Sequence, residues 1–214
     1  MRSYLLLTNS FDEELPSAFL ADDVRYPKAL VQAFLDEYTQ PGDIVFDPFA
    51  GYGTTLITAE AIGRQAYGLE LNQAKVDYAR NRLQHPERLV LGDARRLSTY
   101  KFPLIDFSMT SPPYTSLDDA LDPLTDYTSD GHGYGAYLAG MRNIYAQLSM
   151  RLKPGGTVVI EAANIKRNGR LTTLAWDIAR VVSEVLHFEG EVVIAWDCYG
   201  YGYDHSYCLV FTRL

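Results

Sequence analysis

The sequence predicts an α/β fold: a mostly parallel sheet with helices on both faces and an antiparallel strand pair at its C-terminal end. Three observations carry this. Short apolar runs alternate with segments of helical period from Pro27 onward. Glycine and proline turns separate them. Two strand-like runs near the C-terminus flank a Tyr/Gly-rich turn.

Each element follows from local pattern. Residues 1–25 show no clear period and form an extension that ends at Tyr26-Pro27. From Pro27 to Tyr38, the positions Ala29, Leu30, Ala33, Phe34 and Tyr38 have helical spacing, with Pro27 acceptable at a helix start. Pro41-Gly42-Asp43 turns the chain into the strand Ile44–Phe46. Thr54–Ile62 reads as a helix stopped by Gly63, and Gln65–Leu71 as a strand. Gln73–Leu83 reads as a helix capped by Asn72. Arg88–Leu91 and Leu104–Met109 are strands, and Tyr134–Leu152 is a helix stopped by Lys153-Pro154-Gly155-Gly156. Thr157–Glu161 is a strand, Leu171–Leu186 a helix, and Glu191–Trp196 with Ser206–Thr212 the closing pair, expected at one edge of the sheet. Residues 115–133 show neither pattern, and a loop of that length is usually functional or disordered.

Length and composition bound the answer. The 214 residues, 47% hydrophobic and 21% charged, form one globular domain with a full-sized core. No apolar run approaches the roughly 18 residues of a membrane span, and Leu5–Leu7 is too short for a signal-peptide core. A cytoplasmic chain is expected. Cys198 and Cys208 give no disulfide framework, unreacted thiols are expected, and the histidines (His85, His132 and His187 among them) show no metal spacing. The net charge of −8 argues against a simple basic nucleic-acid binder, but it is unevenly placed: residues 10–47 carry nine acids and two bases, and residues 115–135 five acids and no base.

The informative residues fall at strand ends, where open α/β sheets bind ligands. Asp47-Pro48-Phe49-Ala50-Gly51-Tyr52-Gly53-Thr54 follows the first strand, Glu70 ends the second, Asp93-Ala94 follows the third, and Ser111-Pro112-Pro113-Tyr114 follows the fourth. Gly51 and Gly53 permit a tight turn and a close approach of ligand to backbone before a helix. Leu56 stands where a dinucleotide fingerprint needs its third glycine, and no phosphate-loop lysine is present. Glu70 lies 19 residues beyond Gly51, the place from which a carboxylate accepts both hydroxyls of a ribose. Each feature alone admits a structural explanation. Their recurrence at consecutive strand ends is hard to explain that way.

The tetrapeptide carries its own chemistry. An aromatic amine is a poor nucleophile because its lone pair is delocalised into the ring. The Ser111 hydroxyl and the Pro112 carbonyl, as two acceptors for its hydrogens, favour a pyramidal nitrogen with an available lone pair. Pro112 and Pro113 stiffen the loop that holds them. Tyr114 offers a flat face for a base taken out of its stack.

Asp47 to Thr55 together with Thr110 to Tyr114 resembles the DNA amino-methyltransferase family, the S-adenosylmethionine-dependent methylases of exocyclic amines, from about Tyr26 to the C-terminus. The resemblance implies a Rossmann-like class I methyltransferase fold. It implies that Asp47, Pro48, Phe49, Gly51, Gly53 and Thr54 hold the methionine portion of S-adenosylmethionine, that Glu70 binds the ribose, and that Asp93 with Ala94 meets the adenine. Tyr26-Pro27 resembles the element that closes over the methionine moiety. Ser111, Pro112, Pro113 and Tyr114 would be catalytic, and the Ser-Pro-Pro-Tyr form is similar to that of the cytosine-N4 enzymes. DNA is the implied partner, and methyl transfer to cytosine N4 the implied activity. The alternatives are RNA, adenine N6 or a small aromatic amine as acceptor, or a non-catalytic cofactor-binding subunit of a larger methylase. Many family members place the tetrapeptide before the cofactor turn, whereas here it follows. No separate target-recognition domain is expected, so a second copy or a specificity partner is a candidate source of sequence reading.

Two substrate-side expectations follow. Lys166, Arg167 and Arg170, after the fifth strand, are placed to meet phosphates, and His205 in the closing turn to line the substrate side. Asp118, Asp119, Asp122, Asp126 and Asp130 would make residues 115–133 a mobile loop that orders over an extruded base.

Overall fold

The computed structural model describes residues 2–12, 14–22, 25–127, 133–198 and 203–214. Its strands are β1 (Tyr4–Leu7), β2 (Ile44–Asp47), β3 (Gln65–Glu70), β4 (Leu89–Leu91), β5 (Ile105–Thr110), β6 (Leu152–Ala162), β7 (Ile165–Arg167), β8 (Arg170–Thr172), β9 (His187–Trp196) and β10 (His205–Thr212). Its α-helices are α1 (Lys28–Tyr38), α2 (Thr54–Ala61), α3 (Gln73–Arg80), α4 (Tyr134–Ser149) and α5 (Leu174–Val182).

Eight strands form one sheet in the order β1-β9-β10-β6-β5-β2-β3-β4. Among the described strands of this sheet, β10 alone runs against the rest, paired antiparallel with both β6 and β9. Alternation along the central strands feeds two cores. In β2, Val45 faces the side covered by α1, α2 and α3, with Leu30, Phe34, Leu56 and Val76. Phe46 faces the side covered by α4 and α5, with Tyr145, Leu148, Ile178 and Val182. A sheet covered on both faces explains the near-continuous apolar strands. The strand order reverses between β2 and β5, so their carboxyl ends diverge there.

Four sequence expectations need correction. The N-terminal extension is not without structure: β1 pairs in parallel with β9, so β1 rather than the closing pair forms that edge. Lys153-Pro154-Gly155-Gly156 lies inside β6 as an irregularity, where the pairing with β5 shifts between Ile105–Leu152 and Phe107–Thr157. Leu171 belongs to a strand, because β7 and β8 form a small hairpin before α5 begins at Leu174. The described part of the acidic segment carries a 3-10 turn at Pro123–Thr125, and its Thr115, Ser116 and Leu124 are buried. Asp130, His132 and the turn residues Tyr199 to Gly202 lie outside the described residues.

Candidate active site

A cavity of about 500 Å³ opens at the divergence of β2 and β5, within the size range of small-molecule sites. Most residues singled out from sequence line it: Tyr26, Pro27, Asp47, Pro48, Phe49, Gly51, Thr54, Glu70, Asp93, Ala94 and all four of Ser111 to Tyr114. Five stand elsewhere. Gly53, between the lining residues Tyr52 and Thr54, caps α2 with φ +86°, and a Cβ there would come 3.1 Å from Ala79, so the turn and the packing of α3 both favour glycine. Lys166, Arg167 and Arg170 sit on the β7–β8 hairpin, and His205 begins β10, hydrogen-bonded through Nε2 to the Tyr207 hydroxyl at 2.8 Å.

The turn after β2 is built around two carboxylates. Gly51, at φ +52°, donates its N–H to Glu70 Oε2 at 2.7 Å, and Asn72 donates its N–H to Oε1 at 2.8 Å. Glu70 therefore ties the glycine turn to the start of α3, whose N-cap is Asn72. Burial raises its pKa, against the two N–H donors and Lys75. Asp47 accepts the Phe49 N–H at 2.9 Å, and burial pushes its carboxyl up to about 6. Tyr26 is hydrogen-bonded to Thr55, the residue after the turn, which brings the Tyr26-Pro27 segment to this wall.

Asp93 is held differently. Partial burial pushes its pKa up, but the hydrogen bonds and charge of Arg95 outweigh that and leave it lowered. Arg95 grips both of its oxygens, at 2.7–3.0 Å. The Asp93 N–H is fixed by the Tyr100 hydroxyl at 3.0 Å. That ring packs where the Cβ of any residue replacing Gly92 would fall, 2.7 Å away.

On the opposite wall, the Tyr114 hydroxyl donates to Glu161 Oε2 at 2.9 Å. Glu161 is buried at the end of β6 and lines the cavity. Sequence reasoning passed over it, although an acid ending an apolar strand is the signal that marked Glu70. Asn9, after β1, and Trp196, ending β9, also reach the cavity, and nothing local to their sequence reveals this. The acidic segment supplies Leu124, Asp126 and Tyr127. It is fastened on two sides. Toward the wall that bears Glu70 and Asp93, Asn72 Nδ2 donates to Asp126 at 2.8 Å, Lys75 lies 3.9 Å from Asp126, and Arg95 lies 3.8 Å from Asp122. Toward the hairpin, Arg167 pairs with Asp119 at 2.8 Å, Arg170 pairs with Asp118, and the Leu117 N–H donates to Thr172 Oγ1 at 3.2 Å. Two of the three bases expected to await phosphate, Arg167 and Arg170, are thus already engaged by carboxylates.

A second cavity, of about 360 Å³, lies beyond Tyr114, between Tyr127, Leu121, Ile165, Asp119 and Arg167. Among the described residues no cluster of metal-ligating side chains occurs, and both cysteines are free thiols, Cys208 buried and Cys198 exposed. Among the described residues, no helix is long and apolar enough to cross a membrane.

With this geometry in view, the comparisons with known proteins divide by segment. Across most of the chain, solved structures share the backbone arrangement. TrmN from Thermus thermophilus superposes with TM-score 0.63 at 21% identity, over 87% of this chain and 49% of that one. A TehB-like SAM-dependent methyltransferase from Corynebacterium glutamicum gives TM-score 0.58 at 17% identity, over 92% and 93%. An rRNA methylase from Streptococcus thermophilus gives 0.57 at 14%, over 89% and 98%. The fold is that of the class I methyltransferases. Residues 19–81, which hold the turn after β2 and Glu70, match the DNA methylase family model. The Type II methyltransferase M.Cfr9I of Citrobacter freundii is 41% identical over 66 residues, 31% of this chain and 22% of that protein. This methyltransferase-fold chain resembles the DNA amino-methyltransferases in that segment, and the matches span 15–22% of the length of the curated relatives.

Proposed function

We propose that the protein transfers a methyl group from S-adenosylmethionine to an exocyclic amino group of a nucleobase, with cytosine N4 in DNA as the acceptor. The observation that carries this reading is the meeting, in one cavity, of a carboxylate-bearing wall and the Ser-Pro-Pro-Tyr loop. The wall fits the cofactor's chemistry. Glu70 and Asp93 are acceptors for vicinal hydroxyls and an aromatic amine, and Asp47 is a counter-charge for an ammonium. The same carboxylates would repel a nucleoside triphosphate. When bound, the cofactor supplies a methyl group activated by a positively charged sulfur.

The chain's residues position the acceptor against it. Ser111 Oγ and the Pro112 carbonyl take the hydrogens of the amine and direct its lone pair. Pro113 restricts the loop, and Tyr114, braced by Glu161, presents its ring to the base. Serine at the head of the tetrapeptide favours cytosine N4 over adenine N6, by resemblance to the cytosine-N4 enzymes.

A tritiated-methyl assay on DNA, RNA and protein, followed by nucleoside analysis, tests this. N4-methylcytosine in DNA is expected. N6-methyladenine would move the acceptor. Label confined to RNA would establish the second reading, which the fold's likeness to an rRNA methylase favours. No label on any acceptor, with cofactor bound by calorimetry, would make the chain a non-catalytic subunit.

A further inference from the structure

We propose that the second cavity is a subsite for the nucleotide next to the acceptor in the same DNA strand, its base against Tyr127 and Tyr114 and its phosphate on Arg167. The inference rests on the proposed reading of the site, and four observations carry it beyond that reading.

Tyr114 lines both cavities, so a base seated on the catalytic side of the loop leaves its neighbour in the strand at the mouth of the second cavity. The walls are chemically divided. Tyr114, Tyr127, Leu121 and Ile165 give aromatic and aliphatic surface, and Arg167 one cation, paired with the lining carboxylate of Asp119. A ligand with a flat apolar face and an adjacent anion answers both, whereas inorganic phosphate answers only Arg167 and a bare aromatic only the tyrosines. Leu121 and Tyr127 are each 44% exposed, apolar surface that a stacked base would cover.

The fourth observation is backbone conformation. Asp126 and Tyr127 are consecutive non-glycine residues at φ +53° and +56°, a conformation disfavoured for a bulky side chain. The Tyr127 hydroxyl donates to the Tyr114 carbonyl oxygen at 2.8 Å, and its N–H to the Asp122 carbonyl at 3.2 Å. A left-handed tyrosine is thus held beside the catalytic loop, as a stacking platform requires. Arg167 reaches the phosphate by exchanging Asp119, which also accepts the Ser116 N–H at 2.7 Å and so keeps a partner.

The test uses the full chain, S-adenosylmethionine and short single strands with one acceptor cytosine. A stable abasic residue replaces the nucleotide on one side or the other, and matched RNA strands form a second arm. Wild-type kcat/KM is expected to fall about tenfold when one particular neighbour lacks its base, the size of one lost base–aromatic stack. In Leu121→Glu, which sets a carboxylate in the apolar wall, and Tyr127→Asn, which removes the ring but tolerates the left-handed backbone, the ratio of intact to abasic strand should approach one. Calorimetric cofactor binding checks that both variants are folded. A wild-type ratio near one at both neighbours overturns the subsite and leaves the acceptor reading standing. A ratio that persists in both variants overturns the cavity as its location. Dependence seen only with RNA strands overturns DNA as the occupant. Absence of transfer to any strand overturns the acceptor reading, and the subsite with it.

Discussion

Asp47, on the proposed reading, sets cofactor binding against stability within a single residue. Burial raises its pKa from 3.8 to about 6, so at pH 7 its ionised form costs the fold about 3 kcal/mol. A carboxyl raised on folding favours the native state below its unfolded pKa, and that contribution is lost as pH rises through about 6. Asp47→Asn should therefore gain on wild type as pH rises from about 4 to about 6, and keep that margin above it, in denaturant titrations. Cofactor affinity should run the other way: wild type weakens as pH falls below about 6, while Asp47→Asn is weak throughout and nearly flat, by calorimetry. Glu70→Gln should lose at least tenfold in cofactor affinity, since hydrogen bonds to a charged acceptor are worth about 1.5–3 kcal/mol. Glu70→Ala should lose thermal stability as well, because the Gly51 and Asn72 N–H groups lose their partner. Ser111→Ala should keep cofactor affinity and lose about 10²–10³ in transfer rate. At this scale the sequence was informative wherever a motif placed an acid or glycine at a strand end. It was silent about Arg95, whose grip on Asp93 depends on the turn between them, and about Asn9, which a distant strand pairing brings to the cavity.

At the scale of elements, the hairpin β7–β8 and the acidic segment act as one unit. Arg167 and Arg170 already face Asp119 and Asp118, so a phosphate that reaches them displaces a carboxylate rather than a small ion. Replacing both acids, Asp118→Asn with Asp119→Asn, should tighten single-strand binding at low salt. It should also steepen the dependence of log affinity on log salt by up to about 0.7 per arginine, because counterions are then released on binding. Salt titrations by fluorescence anisotropy measure both slopes. The elements that escaped sequence reading share a cause. β7 and β8 are three residues each, too short to show a period, and β1 is a four-residue run whose partner, β9, is far away in the chain. The alternating β2 to β5 core was legible because short runs such as Ile44–Phe46 and Leu89–Leu91 alternate with segments bounded by turn and cap residues such as Gly53, Gly63 and Asn72.

Over the whole molecule, the reversal of strand order between β2 and β5 gathers residues from Tyr26 to Glu161 around one cavity, and that convergence was legible from the strand-end motifs. On the proposed reading, a nucleobase must leave its stack to reach the Ser-Pro-Pro-Tyr loop, at a cost of a few kcal/mol in duplex. Single strands should therefore be methylated at least as fast as the same sequence in duplex, in paired initial-rate assays, and activity confined to long duplex DNA would contradict the site. The acidic segment joins the two ends of this machinery, touching Arg95, Asn72 and Lys75 on one side and the hairpin on the other. Thermodynamic linkage makes such a bridge reciprocal. By whatever factor cofactor sharpens the grip on a strand, the strand sharpens the grip on cofactor. Spent cofactor keeps its adenosine and so its hold on the Asp93 side, but once it departs the methylated strand would loosen in the same proportion, so that release of one product becomes the signal for release of the other.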